Sequence, residues 1–224
     1  MFQTMRLAKD EVLHLAGFLS RVLGWDERSA VRIVRRGRVI GFYSALPMDV
    51  LAFVALPAVD DGTDVYTDAE FDVTVSAGRL RDIIGDTSKL EPITDVRIPD
   101  QVAGSPGLAL LPPAGPWSVG EKGLAGDLAP VVDAAVAEFR AQVPKSGSLN
   151  STLLAEATWD APGYGALPMR ALHAARLLGF LSHPGARIET SNITGWKRLV
   201  TPSGQIFVRS TALPPKLSLV PKKR

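Results

Sequence analysis

The run VLAFVAL, Val50–Leu56, is apolar at every position. A strand with one wet face alternates polar and apolar residues, so a run without polar positions has to be covered on both sides. That places it inside a sheet, and a chain of 224 residues is long enough to supply covering layers. Pro57 interrupts the run. No stretch of about 18 apolar residues, the length a membrane-spanning helix needs, occurs in the sequence.

The neighbouring segments supply partners. LAKDEVLHLAGFLSRVLGW puts Ala8, Val12, Leu15, Ala16, Leu19 and Leu23 on one helical face, with Gly24 as its stop. Val31–Val34 and Val39–Ala45 read as strands, and FDVTV alternates with period two. Ser76 is placed to cap a short helix, AGRLRDII, ended by Gly85. Residues 1–98 therefore read as an N-terminal lobe of helix, three-stranded meander, strand and helix. Residues 99–126 are dense in Pro and Gly, a linker or a long loop laid over the surface, with GLALL as an edge strand within it. Residues 127–212 read as a second lobe. Asp127 caps a helix with the stripe Leu128, Val132, Ala135, Val136, Phe139 and Val143; SLNSTLLAEATW is a short helix, and Pro168 opens another. ARIET, then GWKRLVT and QIFVRS around PSG, read as strands closing in a hairpin. Residues 213–224 form a basic tail. The fold class expected is α+β, in two lobes that each pack helices on a small antiparallel sheet.

The halves echo each other. RVLGWDERSAVRIV from Arg21 and RLLGFLSHPGARIE from Arg176 share Arg, Leu, Gly, an aromatic residue, Arg and Ile without gaps, and each is a helix end turning into a strand. Helix-to-strand turns commonly use Leu and Gly, so the match does not by itself establish a duplication.

Several chemistries are excluded. There is no cysteine, hence no disulfide, thiolate metal site, iron–sulfur cluster or cysteine nucleophile. His14, His173 and His183 fall in no metal or catalytic spacing, and there is no Gly-x-Ser-x-Gly elbow or P-loop lysine. Asp60, Asp61, Asp64, Asp68, Glu70 and Asp72 cluster in a polar loop without the EF-hand spacing, and a solvated loop explains them. No metal, cofactor or catalytic residue is assigned. The start, MFQTMRLAKDEV, lacks a cationic segment leading into an apolar one, so a cytoplasmic protein is expected.

Charge gives the remaining lead. The net charge is only +2, from 25 Lys and Arg against 23 Asp and Glu, so any polyanion site has to be a local basic patch. RIVRRGRVIGFYS concentrates Arg35, Arg36 and Arg38 at a hairpin tip; with Arg36–Gly37 as the loop, Arg35 faces Arg38. In the second hairpin, Lys197 or Arg198 faces Arg209, depending on loop length, beside Trp196 and Phe207. Like charges opposed across strands are unfavourable, and an anionic guest relieves them; basic groups among aromatics suit phosphate contact and base stacking. Solvated tips are the plain alternative.

Arg170, His173 and Arg176 recur every three residues on the helix from Pro168, although ALHAARLLGFL is otherwise as apolar as a buried helix. Two helices before it and a hairpin after it give an element order that resembles a winged helix-turn-helix domain. The resemblance implies DNA contact by Arg170, His173 and Arg176 from the third helix and by Lys197, Arg198 and Arg209 from the wing. The expected function is thus a non-enzymatic binding or adaptor protein contacting nucleic acid or another polyanion. The alternative is a protein–protein scaffold or homodimer using apolar surface around Trp117, which otherwise packs the Pro/Gly segment onto its own domain.

Overall fold

A computed structural model describes residues 3–59, 70–143 and 148–210. The first strand, β1 (Thr4–Ala8), runs straight into helix α1 (Lys9–Leu23). Val12, Leu15, Ala16, Phe18, Leu19 and Val22 form the buried face of α1. Asp10 and Glu11 in its first turn and Arg21 in its last complement the helix dipole. The meander follows as β2 (Ala30–Arg36), β3 (Val39–Leu46) and β4 (Val50–Pro57). After it come β5 (Phe71–Ser76), α2 (Ala77–Ile84) and β6 (Ile93–Arg97). The Ser76 hydroxyl accepts from the Arg79 N–H, the cap expected from sequence. A four-residue helix, α3 (Pro106–Ala109), leads to β7 (Ser118–Leu124). Three helices follow, α4 (Ala125–Gln142), α5 (Ser148–Asp160) and α6 (Met169–Leu177). The last elements are β8 (Arg187–Ile193), β9 (Trp196–Thr201) and β10 (Gly204–Arg209).

The chain is a mixed helix and sheet protein dominated by one large antiparallel sheet. In place of a small sheet in each half, eight strands form a continuous sheet in the order β5-β2-β3-β4-β10-β9-β8-β7. The two meanders meet edge to edge where β4 pairs with β10, Phe53 opposite Gln205 and Val50 opposite Val208. From the seam outward the meanders mirror each other, β4-β3-β2 and β10-β9-β8, each preceded by a helix, α1 or α6, while the outermost strand follows its meander in one half (β5) and precedes it in the other (β7). The sequence echo therefore falls on equivalent elements. Its gap-free register holds to Gly24 and Gly179, but β2 ends at Arg36 and β8 at Ile193, two residues later than the match requires. β1 and β6 pair separately, with an Arg6–Asp95 ion pair of 2.8 Å across them.

The β4 run is covered on both faces, as its composition requires. Ala52, Val54 and Leu56 join the main core beneath the helices with Ile33, Ile40, Phe42, Leu199 and Ile206. Leu51 joins a second cluster on the opposite face with Leu108, Trp196 and Phe207, flanked by Tyr43, Phe53 and Trp117. Burying each such large side chain contributes about 1.5–3 kcal/mol.

The cover on that outer face is the Pro/Gly-rich segment. It is laid over the sheet as a strap. The Val102 N–H donates to Thr74 O, Leu108 is buried, and Trp117 reaches Phe207 at 5.7 Å between ring centroids. Gly107 allows the close approach: a Cβ there would lie 2.7 Å from the Ala45 Cβ. Arg32 staples the strap, donating to Leu108 O at 2.7 Å while its other nitrogens grip both Asp72 oxygens, also at 2.7 Å. The Arg32 hydrogen bonds hold the Asp72 carboxyl below its ordinary value. A depressed carboxylate stabilises the fold above its unfolded pKa of about 4, and the benefit disappears as pH falls through the folded value. Asp72→Asn is thus expected to cost less than about 1 kcal/mol at neutral pH, because the pair is partly exposed. Urea denaturation should show the gap between wild type and variant closing below about pH 4; a gap that is constant with pH excludes this role.

Among the described residues, no helix is long and apolar enough to cross a membrane.

Candidate polyanion interface

Gly37 and Arg38 form the β2–β3 turn, so Arg36 faces Val39 and Arg35 faces Ile40. The expected opposition of Arg35 and Arg38 is not made. The turn moves by one residue, and the partner of Arg35 by two, because the first turn position takes a positive φ, +55°, which Gly37 adopts without strain. Alternation along β2, which buries Val31 and Ile33, turns Arg35 toward the same helical face, where it is 3% exposed and its Nε donates to Gly37 O at 3.1 Å. Arg36 and Arg38 are exposed.

In the second hairpin, Pro202 and Ser203 form the turn between Thr201 and Gly204. Lys197 consequently faces Val208, Arg198 faces Phe207 and Arg209 faces Trp196, so no cation opposes another here either. The Arg198 guanidinium lies over the Trp117 ring at 4.5 Å and donates to Ser191 Oγ at 2.6 Å; burial lowers its pKa. Arg209 stands 5.5 Å from the Trp196 ring. Lys197 Nζ donates to Ala166 O at 2.7 Å.

The two basic groups lie at opposite ends of the sheet. Arg35 and Arg36 are level with Leu56 and Pro57, at the end of β4; Lys197 and Arg198 are level with Val50 and Leu51, at its start. Six residues of strand separate the levels, roughly 20 Å.

Arg170, His173 and Arg176 do not form a row on an open surface. Arg170 ion-pairs with Asp160 of α5, and Arg176 holds both oxygens of Asp133 on α4 at 2.9 Å. The His173 ring stacks on Trp159 at 4.9 Å with Trp25 at its edge, and burial lowers its pKa. Met169, Ala171, Leu172, Ala174 and Ala175 are buried, and α6 packs on β4 and β10 with α4 and α5 against it. The apolar ALHAARLLGFL pattern carried that outcome.

One convergence does occur. Arg170 from the first turn of α6, Lys197 from β9 and Arg209 from the end of β10 line a cavity of about 340 Å³, with Asp160 as its carboxylate. A second cavity of about 350 Å³ shares Ala166 and Lys197 and adds Glu121, Thr190 and Asn192. The turn between them is held in an unusual backbone geometry, with φ of +60° at Gly165 and +56° at Ala166. The Gly165 N–H donates to a Glu121 carboxylate oxygen at 3.2 Å. Glu121, Thr190 and Ala166 carry no motif, and nothing in the sequence marked them.

Trp117 is half-buried against its own sheet. Of the acidic loop, Asp60, Asp61, Asp64 and Asp68 lie outside the described residues, as does the 213–224 tail; Asp72 is engaged by Arg32. No cluster of three or more His, Asp or Glu able to hold a metal ion occurs among the described residues.

Two family models match the chain, a domain of unknown function (DUF8010) over residues 1–103 and a second (DUF8185) over residues 112–213. No curated protein matches it. Solved structures match it from end to end. DNA polymerase III subunit beta from Pseudomonas aeruginosa superposes with a TM-score of 0.58 at 13% identity, covering 99% of this chain and 68% of that one. The DNA polymerase sliding clamp from Caulobacter crescentus gives 0.56 at 13%, covering 99% and 69%. The Helicobacter pylori beta clamp, bound to a DNA ligase peptide, gives 0.50 at 13%, covering 99% and 70%. The chain thus resembles a sliding clamp in fold, over about two thirds of a clamp chain's length.

Proposed function

We propose that this protein is a non-enzymatic binding protein or adaptor that contacts nucleic acid or another polyanion. The observation that carries the reading is the end-to-end likeness to DNA polymerase sliding clamps, 99% of the chain with a TM-score of 0.58. The contacts assigned are two separate basic groups, Arg36 and Arg38 at one end of the sheet and Lys197 and Arg209 at the other, each holding a different part of an extended partner. Arg35, Arg198 and Arg176 support the fold at their positions, and the packing of α6 removes the winged-helix arrangement from the proposal. The two matched segments, 1–103 and 112–213, favour two lobes joined by the strap. Absence of cysteine suits a reducing cytoplasm.

Retention on a mixed DNA column across a salt gradient tests this. Binding through phosphate contacts falls steeply with salt, and each lost contact lowers the log–log slope by about one. Arg36→Ala/Arg38→Ala and Lys197→Ala/Arg209→Ala should each elute earlier than wild type. If wild type and both variants leave together at low salt, the reading fails.

A protein partner is the second reading, favoured by the DNA ligase peptide on the Helicobacter pylori clamp. It calls for association, with a peptide or a second copy, that withstands salt and weakens when Trp117 is replaced.

A further inference from the structure

We propose that the cavity at the start of α6 is a phosphate pocket, and that Lys197, Arg209 and Arg170 hold in it a phosphomonoester, free or at the end of a nucleic-acid strand. The pocket shares Lys197 and Arg209 with the polyanion reading but does not depend on it.

Three basic residues line this cavity from three different elements, against one carboxylate. Asp160 is 65% exposed and is engaged by Arg170, so the lining keeps a net charge of +2. Lys197 Nζ has three N–H donors and spends one on Ala166 O, which fixes the ammonium in place and leaves two for a guest. Arg209 has an aromatic neighbour and no carboxylate partner among the described residues; the Trp196 ring steadies its guanidinium without neutralising it. Arg170 Nε is buried and has no hydrogen-bond partner among the described residues. That nitrogen has no surface open to the cavity, so Arg170 contributes its charge to the lining rather than a bond from Nε. The first turn of α6 adds its positive dipole end and contains no acidic residue.

Size and charge select the guest. A volume of about 340 Å³ is at the small end of ligand pockets, enough for a phosphate with a small organic group and too small for a duplex. A phosphomonoester carries about −1.5 to −2 charges at neutral pH, matching the lining, whereas an internal diester carries one and must leave the cavity on two sides.

Calorimetric titration with inorganic phosphate, at ionic strength held constant with chloride, reads the pocket directly. Wild type should bind saturably. Lys197→Gln and Arg209→Gln should each weaken binding by about tenfold or more, the loss expected for a charge-assisted hydrogen bond. Arg209→Lys should retain most of it, and Arg36→Ala all of it. Absence of saturable binding by wild type, or unchanged affinity in the Lys197→Gln/Arg209→Gln double variant, overturns the proposal. A short single strand carrying a 5′-phosphate is then compared with its 5′-hydroxyl twin. Preference for the phosphorylated strand, lost in the double variant, assigns a strand end; equal binding of both strands with phosphate binding intact assigns a small free phosphomonoester. Loss of DNA retention with intact phosphate binding removes the polyanion reading and leaves the pocket standing.

Discussion

Replacing Phe18 with alanine is expected to lower the stability of the entire chain by about 3–5 kcal/mol, and calorimetry is expected to show a single transition in both proteins. Phe18 is 1% exposed and belongs to the first half, yet its ring stacks on Phe180 of the second, with centroids 6.4 Å apart and planes at 11°. Phe180 in turn fills the space beside Gly204, where a Cβ would lie 2.8 Å or less from three of its ring atoms. The column runs from α1 to the beginning of β10, above the pairing of β4 with β10. His14 Nε2 adds a polar contact across the same junction, 2.9 Å from Ser203 O. Truncating Phe18 leaves a cavity where the halves meet, and the loss is large beside the 5–15 kcal/mol that typically separates folded from unfolded. Two resolved transitions, with only the first displaced by the substitution, are the result that contradicts this coupling.

Gly165→Ala should cost about 2–4 kcal/mol in denaturant melts, combining left-handed backbone strain with overpacking. Gly165 sits at φ +60°, and an added Cβ would fall 2.7 Å or less from the Thr190 Oγ1, Cγ2 and Cβ. Thr190 cannot move freely, because its Oγ1 accepts the Glu121 N–H at 2.9 Å. A shift of this turn displaces the Ala166 carbonyl that positions Lys197, so phosphate affinity should fall although no charge is removed. Thr190→Ala in the same chain should return part of the loss, a coupling that a double-mutant cycle measures. A neutral Gly165→Ala shows the turn to be pliant and removes it as the support of Lys197.

The elements most legible in the sequence were those whose pattern one face or two faces dictate. VLAFVAL read as a doubly covered strand and is one; Ser76 read as a cap and is one. β1 was missed because Met5 and Leu7 are its only inward residues before α1 begins. β7 was missed because it is exposed almost throughout, contains Gly120 and Gly123, and shifts register between Val119 and Lys122. Hairpin register was the weakest point. The turn falls one residue later than the arginine run suggests, which shifts each partner by two and leaves the faces unchanged; Arg35 is inside because it continues the buried alternation of Val31 and Ile33. Lys197, Arg209 and Arg170 were singled out as basic, but their meeting place depends on a turn, Gly165–Ala166, whose strain no composition reveals.

The seam between β4 and β10 has a consequence for synthesis. Residues 50–57 leave the ribosome long before residues 204–209, and until the latter arrive one edge of the most water-averse strand has no neighbour. Bare edges of that kind recruit other chains, so a nascent or truncated product should be adhesive in a way the finished one is not. Closure waits for residues 204–209 to be made, and a chain terminated before them is expected in the insoluble fraction.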